Sequence, residues 1–237
     1  MTAFGSPRRH FRATDSTNDR ARELAESGAA GGTVVTAGSQ SAGRGRHGRT
    51  WAAPPGKALL YSAILRPLDA GHALLPLAVP LAVCEAMESL AAVRCEVKWP
   101  NDVWVDERKL AGVLIEALPP DWAVIGIGVN VAIEPKEFPS KLRWPATSIG
   151  HGVTLDEARA AIDRALSEWV DSEPDRVIAA FGERDALDGR RLTWSGVEEE
   201  GSGVGAGVDA RGNLLVVRDD GERVALGSGE VQLVLGA

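Results

Sequence analysis

The segment Trp122–Val131 (WAVIGIGVNV) constrains the fold most, because it is a strongly apolar run of strand-forming residues. Such a run predicts a β-strand that is buried in a sheet. Two glycines, Gly126 and Gly128, interrupt it. Glycine inside a strand marks a position that another chain segment or a ligand approaches closely. We therefore expect a sheet whose backbone is closely approached at these two glycines.

The remaining segments include both strand-like and helix-like patterns, and we expect an α+β fold. One long amphipathic helix is expected over Asp156–Phe181, with Asp163, Arg164 and Glu168 on its solvent face. Further strands are predicted at Arg8–Ala13, Thr33–Ala37, Ala58–Leu65, Cys95–Lys98, Val103–Val105 and Leu110–Ala117, and further helices at Asn18–Ser27 and Leu74–Ala92.

The pattern changes after Gly189, where short strands alternate with Gly/Asp turns as far as Leu235. Closely spaced short strands of this kind are typical of a small β-barrel. We therefore expect two domains, residues 1–188 and residues 189–237.

Charge is distributed unevenly along the 237 residues. The net charge is −7, yet the first 50 residues contain eight arginines and four acidic residues. An acidic protein is unsuited to general nucleic-acid binding, which depends on many phosphate contacts by Lys and Arg. A basic segment within an acidic protein instead indicates a local anion site.

The cysteines and the apolar segments predict a cytoplasmic protein with no membrane partner. Cys84 and Cys95 fit neither a disulfide framework nor a zinc motif, so two buried thiols are expected. The first 15 residues contain no apolar run of the secretory kind. The most apolar uncharged stretch, Ala73–Cys84, is too short to cross a membrane and contains two prolines.

A glycine- and arginine-rich loop, Gly43–Arg49 (GRGRHGR), lies between two predicted strands. Its glycines permit positive φ and close approach to a ligand, and its arginines suit carboxylate and phosphate oxygens. An exposed Arg-Gly segment also occurs as a mobile nucleic-acid tail, and that alternative stays open from the loop alone. The loop is not a Walker motif, because no Gly-Lys-Ser/Thr follows it.

Two further motifs contain polar residues next to apolar strands. Asn101 and Asp102 follow Pro100, and such a pair can hold hydrated Mg²⁺ or form an ordinary turn. Lys109 opens an otherwise apolar strand, where it can neutralise a developing negative charge or simply make an edge strand soluble.

Two other polar groups have equally plain alternatives. Asn130 ends the glycine-containing strand, where it can bind a ring edge or be a satisfied core amide. Ser16, Thr17 and Asn18 stand at the start of a predicted helix, where they can bind a ligand or cap the helix.

Taken together and in this order, five motifs resemble the biotin protein ligase family. They are STND (Ser16–Asp19), GRGRHGRTW (Gly43–Trp51), KWPNDV (Lys98–Val103), KLAGVLIE (Lys109–Glu116) and IGIGVNV (Ile125–Val131). The resemblance covers about residues 10 to 150. It implies a catalytic domain of the class II synthetase-like, biotin/lipoyl ligase type, with a mixed sheet flanked by helices. It also implies a small C-terminal SH3-like β-barrel.

The resemblance also implies an activity. The family activates biotin with MgATP to biotinoyl-5′-AMP and passes the biotinoyl group to one lysine of a biotin carboxyl carrier protein domain. The Arg-Gly loop and the segment Ala132–Pro145 are then expected to close over the adenylate. The implied biotin contacts are Ser16, Thr17 and Gln40 at the ureido ring, with Asn18 beside them, and Trp51 and Gly112 around the ring and tail. Gly43 and Arg44 are implied to cover the adenylate linkage, and Lys109 to span the carboxylate and the α-phosphate oxygens.

On the nucleotide side, the resemblance implies ATP contacts by Arg46 and Asn101, an adenine contact by Asn130 and stacking by Trp144. Lys109, Arg44 and Arg46 are the implied catalytic cations, and Asp102 is the implied Mg²⁺ ligand.

Three other functions are weighed against this one. A lipoate or octanoate ligase-like protein is one alternative, because it shares the wider fold. A non-catalytic biotin- or nucleotide-binding module is a second, but such a module would not need Lys109 and Asp102. An RNA-binding protein is a third, but it would need more aromatic residues. Since the first motif begins at Ser16, we expect no helix-turn-helix domain and hence a monofunctional ligase.

Overall fold

The computed structural model describes residues 2–195, 200–227 and 230–234. Within them the chain forms a mixed seven-stranded sheet with helices on both faces, followed by a smaller antiparallel sheet. The larger sheet contains β1 (Arg8–Phe11), β2 (Val34–Ala37), β3 (Ala58–Leu65), β4 (Glu96–Lys98), β5 (Asp102–Val105), β6 (Arg108–Leu118) and β7 (Trp122–Asn130).

The strand order in the larger sheet is β1-β2-β3-β7-β6-β5-β4. β1 and β2 run parallel, and every other neighbouring pair is antiparallel. β7 lies at the centre, between β3 and β6, which explains why its sequence is apolar on both faces. The predicted α+β class with a mixed sheet is therefore confirmed.

The helices are α1 (Thr17–Glu26), α2 (Leu75–Glu88), α3 (Leu155–Trp169) and α4 (Pro174–Gly182). α1 packs against β2, β3 and β7, whereas α2 and α3 pack together on the opposite face. Together with the short turn before it, α2 forms an apolar helix, Ala70–Glu88, that is long enough to cross a membrane. However, 67% of its apolar window is buried inside the protein, as in the core helix of a globular fold.

The expectation of one helix over Asp156–Phe181 is wrong, because α3 ends at Trp169 and α4 begins at Pro174. Proline lacks an N–H and clashes with the preceding turn, so it interrupts a helix but fits its first position. Glu173, the residue before it, is extended, with ψ of 140°.

The expectation that Asp163 lies on the solvent face is also wrong. Asp163 is 8% exposed and accepts a hydrogen bond from the hydroxyl of Tyr61 at 2.9 Å. Arg159, one turn earlier on α3, forms an ion pair with the same carboxylate. Burial raises the pKa of Asp163, while the bonds from Tyr61 and Arg159 act in the opposite direction. The carboxylate therefore links α3 to the underside of β3.

The smaller sheet contains β8 (Arg191–Ser195), β9 (Glu200–Val208), β10 (Leu214–Val217), β11 (Arg223–Leu226) and β12 (Glu230–Leu233), in the order β11-β10-β9-β8-β12. Among the described residues β11 does not pair with β12, so the sheet is open and the predicted closed barrel is not confirmed. The expected strand end at Leu235 lies outside the described residues.

The buried carboxylate of α3 yields a prediction for stability. We expect Asp163→Ala to lower the free energy of unfolding by about 2–4 kcal/mol, because it leaves the buried hydroxyl of Tyr61 without its acceptor and removes one of the two carboxylates that pair with Arg159. Urea denaturation measures the change, and Glu168→Ala, at an exposed position on the same helix, is the matched control. Equal stability of the two variants would contradict a structural role for Asp163.

Candidate active site

Three glycines on β6 and β7 let two other segments rest directly on the sheet. A Cβ at Gly112 would lie 3.1 Å from the ring of Trp51, and one at Gly128 would overlap that ring. A Cβ at Gly126 would overlap the amide of Asn18 on α1. The close approach predicted for this strand is confirmed: the loop before β3 and the start of α1 both rest on glycine.

Between these segments lies a cavity of about 150 Å³, which we call the inner cavity. Its apolar part is formed by Trp51, Leu60, Val113 and Leu114, and its polar end by the start of α1. Of the residues predicted to bind biotin, the structure places all but Gly43 in its lining, namely Ser16, Thr17, Asn18, Gln40, Arg44, Trp51, Lys109 and Gly112.

The polar end of the inner cavity is a connected hydrogen-bond network. Thr17 donates its backbone N–H to Gln40 Oε1 at 2.6 Å, and its hydroxyl lies 3.0 Å from the same oxygen. Ser62 on β3 contacts Thr17 Oγ1 at 2.9 Å and Asn18 Oδ1 at 2.6 Å. Ser16 occupies the N-cap position of α1, but its side chain makes no capping bond. Helix capping therefore does not account for this serine.

The Arg-Gly loop is folded against the site, and its arginines differ in their partners. Arg44 pairs with Asp19 at 2.8 Å and with Glu116 at 2.9 Å, at the edge of the inner cavity. Arg46 is half-buried, and among the described residues it has no carboxylate within 4 Å. Burial lowers the pKa of Arg46. The carbonyl of Gly43, behind the lining, accepts a bond from the N–H of Trp51 at 2.9 Å.

A second cavity of about 450 Å³, the outer cavity, adjoins the first. Trp144 lines it and packs against Trp104, with 5.3 Å between ring centroids. Val231 of the smaller sheet also lines it and accepts a hydrogen bond from Lys98 Nζ at 2.9 Å. The smaller sheet therefore contributes to the wall of this cavity.

Seven residues line both cavities and mark their junction: Arg46, Arg49, Thr50, Trp51, Asn101, Asp102 and Lys109. Lys109 Nζ lies 2.6 Å from Asp102 Oδ1 and 5.5 Å from the centre of the Trp51 ring. Backbone bonds of Lys109 to Pro145 and Thr147 hold the start of β6 against the segment that carries Trp144. The sequence predictions at Arg46, Asp102 and Lys109 thus converge on one place.

The junction has a surplus of positive charge. Burial, opposed by Asp102, lowers the pKa of Lys98 to about 8, and the neighbouring cations Arg143, Lys109 and Arg49 lower it further. Asp102 is the only acidic side chain that the described residues place in the lining of either cavity. A site with this excess of cations is suited to anions.

Two asparagines predicted to bind ligand also hold the scaffold. Asn101 donates its amide to the carbonyl of Val113 at 2.8 Å. Asn130 donates its amide to the carbonyls of Thr147 and Lys109, at 3.0 and 3.3 Å. Asn130 therefore has only its Oδ1 left for a ligand.

Sequence reasoning assigned no role to three residues of this site. Ser62 is a hydroxyl inside an apolar strand, and Glu116 and Lys98 belong to quoted motifs. A polar residue in an apolar run was the available signal. Their partners lie far along the chain, so the sequence could not reveal them.

The comparisons with known proteins agree with this geometry. Residues 10–130 match the biotin/lipoate A/B protein ligase family. The biotin–[acetyl-CoA-carboxylase] ligase of Mycobacterium tuberculosis is 34% identical, over 92% of this chain and 85% of that protein. The bifunctional ligase/repressor BirA of Bacillus subtilis is 38% identical over 63% of this chain, and the aligned region spans 46% of its length.

Among solved structures, the biotin protein ligase of Aquifex aeolicus in complex with biotin and ATP superposes with a TM-score of 0.84. It is 28% identical, and the match covers 97% of this chain and 99% of that one. Sequence and structure both support the same assignment: the chain belongs to the biotin/lipoate A/B protein ligase family and is similar to biotin protein ligases within it.

Proposed function

We propose that this protein is an ATP-dependent biotin ligase. The observation that carries the proposal is the junction of the two cavities, where Arg46, Arg49 and Lys109 surround a single carboxylate. The reaction brings the carboxylate of biotin against the α-phosphate of ATP. Two like charges 4 Å apart repel by about 1 kcal/mol in bulk water and by about 4 kcal/mol near a protein surface. Fixed cations at the junction offset that repulsion.

The inner cavity suits the ring of biotin. Trp51 and Leu60 supply apolar walls, and Thr17 and Gln40 supply polar groups at the closed end. A ureido ring carries N–H donors and a carbonyl acceptor, so it needs partners of both kinds. With the ring at that end, the valeryl chain extends towards Lys109 at the junction.

The outer cavity is proposed to bind ATP. Arg46 is a half-buried guanidinium without a carboxylate partner among the described residues, which suits it to phosphate oxygens. Trp144 offers a ring face to adenine, and Asn130 offers its Oδ1 to the exocyclic amine. No cluster of three metal-ligating side chains occurs among the described residues. Mg²⁺, which prefers phosphate oxygens plus one or two carboxylates, would be held by ATP and Asp102 and would neutralise phosphate charge.

The residues at the junction act by position and charge. Lys109 Nζ would leave Asp102 for the oxygens that carry the developing charge, and Arg46 would hold the phosphates in line. The biotin carboxylate attacks the α-phosphorus and pyrophosphate leaves. No covalent bond to the protein is needed. Arg44 and the segment 132–145 are proposed to cover the adenylate and exclude water.

In the second step, a lysine amine of a biotin carboxyl carrier protein domain would attack the biotinoyl carbonyl, so that an amide bond forms, the acyl–phosphate bond breaks and AMP and a proton leave. The name of the Mycobacterium tuberculosis relative includes acetyl-CoA carboxylase, which supports a carboxylase subunit as the acceptor. We also propose residues 1–188 as the catalytic domain and residues 189–237 as a smaller domain that contributes Val231 to the ATP side. The two buried thiols, Cys84 and Cys95, fit the expected reducing cytoplasm.

The proposed activity is tested with biotin, MgATP and a biotin carboxyl carrier domain, followed by a streptavidin blot and pyrophosphate release. We expect labelling that lipoate does not replace, and a fall of two or more orders of magnitude in adenylate formation for Lys109→Ala, since it removes a charge at the reacting oxygens. Arg164→Ala, which removes an exposed cation on α3 outside both cavities, is the control. Pyrophosphate release at the wild-type rate from Lys109→Ala would contradict the role of Lys109.

Arg46 is expected to contribute more to the binding of ATP than to the binding of biotin. Arg46→Ala should weaken ATP binding by about 10-fold or more and biotin binding by far less, because the lost group faces phosphates. Calorimetric titration of each ligand measures both constants, with Arg9→Ala, at an exposed arginine, as the control. A larger loss for biotin than for ATP would overturn the assignment.

ATP binding should also take up protons through Lys98. Its pKa of about 8 leaves it mostly neutral at pH 8.5, and phosphate charges near it would raise that pKa and favour the ammonium form. Calorimetry of ATP binding at pH 8.5, in buffers that differ in ionisation enthalpy, should therefore show proton uptake that Lys98→Met abolishes. Identical heats of ATP binding in both buffers would show that the nucleotide does not change the protonation of Lys98.

A further inference from the structure

Glu116 connects the inner cavity to the Arg-Gly loop. It lies on β6, on the same face as Gly112 and Leu114, because alternate residues of a strand share a face. One oxygen, Oε2, accepts a hydrogen bond from Asn18 Nδ2 at 2.9 Å. The other, Oε1, lies 2.9 Å from the guanidinium of Arg44.

Glu116 is the nearer of two acceptors that orient the amide of Asn18. An ionised carboxylate only accepts hydrogen bonds, so Asn18 must direct its NH₂ group to Glu116 and its Oδ1 to the other side. The carbonyl of Leu114, 3.4 Å from Asn18 Nδ2, favours the same orientation. On that side Ser62 Oγ lies 2.6 Å from Asn18 Oδ1. Because Oδ1 carries no hydrogen, the single hydroxyl proton of Ser62 is committed to Asn18.

The direction of these hydrogen bonds also determines the bonding of the Thr17 hydroxyl. Its hydroxyl lies 2.9 Å from Ser62 Oγ and 3.0 Å from Gln40 Oε1, and neither atom has a proton left to give it. Thr17 therefore donates its one hydroxyl proton to an atom of the protein, Gln40 Oε1 or Ser62 Oγ. Its oxygen faces the cavity as an acceptor. Gln40, whose oxygen receives the N–H of Thr17, retains its NH₂ group as a donor.

We infer that Glu116 is a positioning residue that sets the hydrogen-bond polarity of the inner cavity and thereby selects a cyclic urea. The inference rests on the proposed function and specifies what its pocket discriminates. A ureido ring offers N–H donors to Thr17 and a carbonyl acceptor to Gln40. A dithiolane ring, such as that of lipoate, offers no N–H group. The polarity is imposed from Glu116, through Asn18 and Ser62, without contact between Glu116 and the ligand.

The test is direct binding of biotin, measured by calorimetry in the absence of ATP, together with KM for each substrate. We expect Glu116→Ala to weaken biotin binding by about 10-fold or more, because Thr17 is no longer held as an acceptor. KM for ATP should change by no more than about 3-fold, which a general loss of structure would not permit. Glu116→Gln, which keeps an oxygen for Asn18, should recover part of the lost affinity.

Two variants separate the arms of the network. Arg22→Ala removes a guanidinium that lies 3.7 Å from Glu116 Oε1 but leaves the contact with Asn18, so it should weaken biotin binding less than Glu116→Ala does. Ser62→Ala interrupts the next link, and it should reproduce the selective loss of biotin affinity even where Glu116→Ala fails to fold. Glu23→Ala, in an exposed pair with Arg20 on α1, is the matched control.

The inference is overturned by equal losses of biotin affinity in Glu116→Ala and Arg22→Ala, or by equal losses of ATP and biotin affinity in Glu116→Ala. It is also overturned by no recovery of biotin affinity in Glu116→Gln, or by wild-type biotin affinity in Ser62→Ala. Wild-type protein that binds biotin and releases pyrophosphate keeps the proposed function in each of these cases. Wild-type protein that fails to bind biotin overturns both.

Discussion

Electrostatic repulsion among a cluster of cations is the main constraint on the structure of this site. Lys98, Lys109, Arg46, Arg49 and Arg143 all lie close enough to influence one another or the single carboxylate of Asp102. Like charges in a partly buried site repel by several kcal/mol, so the protein must hold them with other contacts. The β5–β6 hairpin, the backbone bonds of Lys109 and the carbonyl of Val231 provide that support. Bound anions would reduce the repulsion among these cations and so stabilise the arrangement.

The glycines of β6 and β7 make the charged junction possible. Because Gly112, Gly126 and Gly128 carry no side chains, Trp51 and Asn18 approach the sheet directly, and the inner cavity forms between them. Glu116 on β6 and Ser62 on β3, which lie on either side of β7, then order the polar groups at its closed end. Packing and polarity are thus determined by the same few positions on the sheet.

The elements with strong local signals were predicted well. The apolar strand Trp122–Val131 became β7. The predicted strands Val103–Val105 and Leu110–Ala117 became β5 and β6, joined by a turn in which Asp106 and Glu107 both have positive φ. The prediction of one helix over Asp156–Phe181 failed because the amphipathic pattern continues past Pro174, whereas a single helix cannot continue through a proline. Asp163 was misplaced because its partner Tyr61 is 102 residues away in sequence. The predicted barrel is an open sheet, since strand pattern does not determine whether the end strands meet.

The sequence by itself determined which chemical groups are available and in what order: a loop of alternating glycine and arginine, a lysine and an aspartate at strand ends, and glycines in apolar strands. These are local properties, and they were enough to identify the family. Only the tertiary structure decided which groups meet. The bond between Asn18 and Glu116 joins residues 98 positions apart, and the pairing of Arg44 with Asp19 and Glu116 depends on how α1, the loop and β6 pack. Distances of that kind follow from the burial of the whole sheet, which no local pattern specifies.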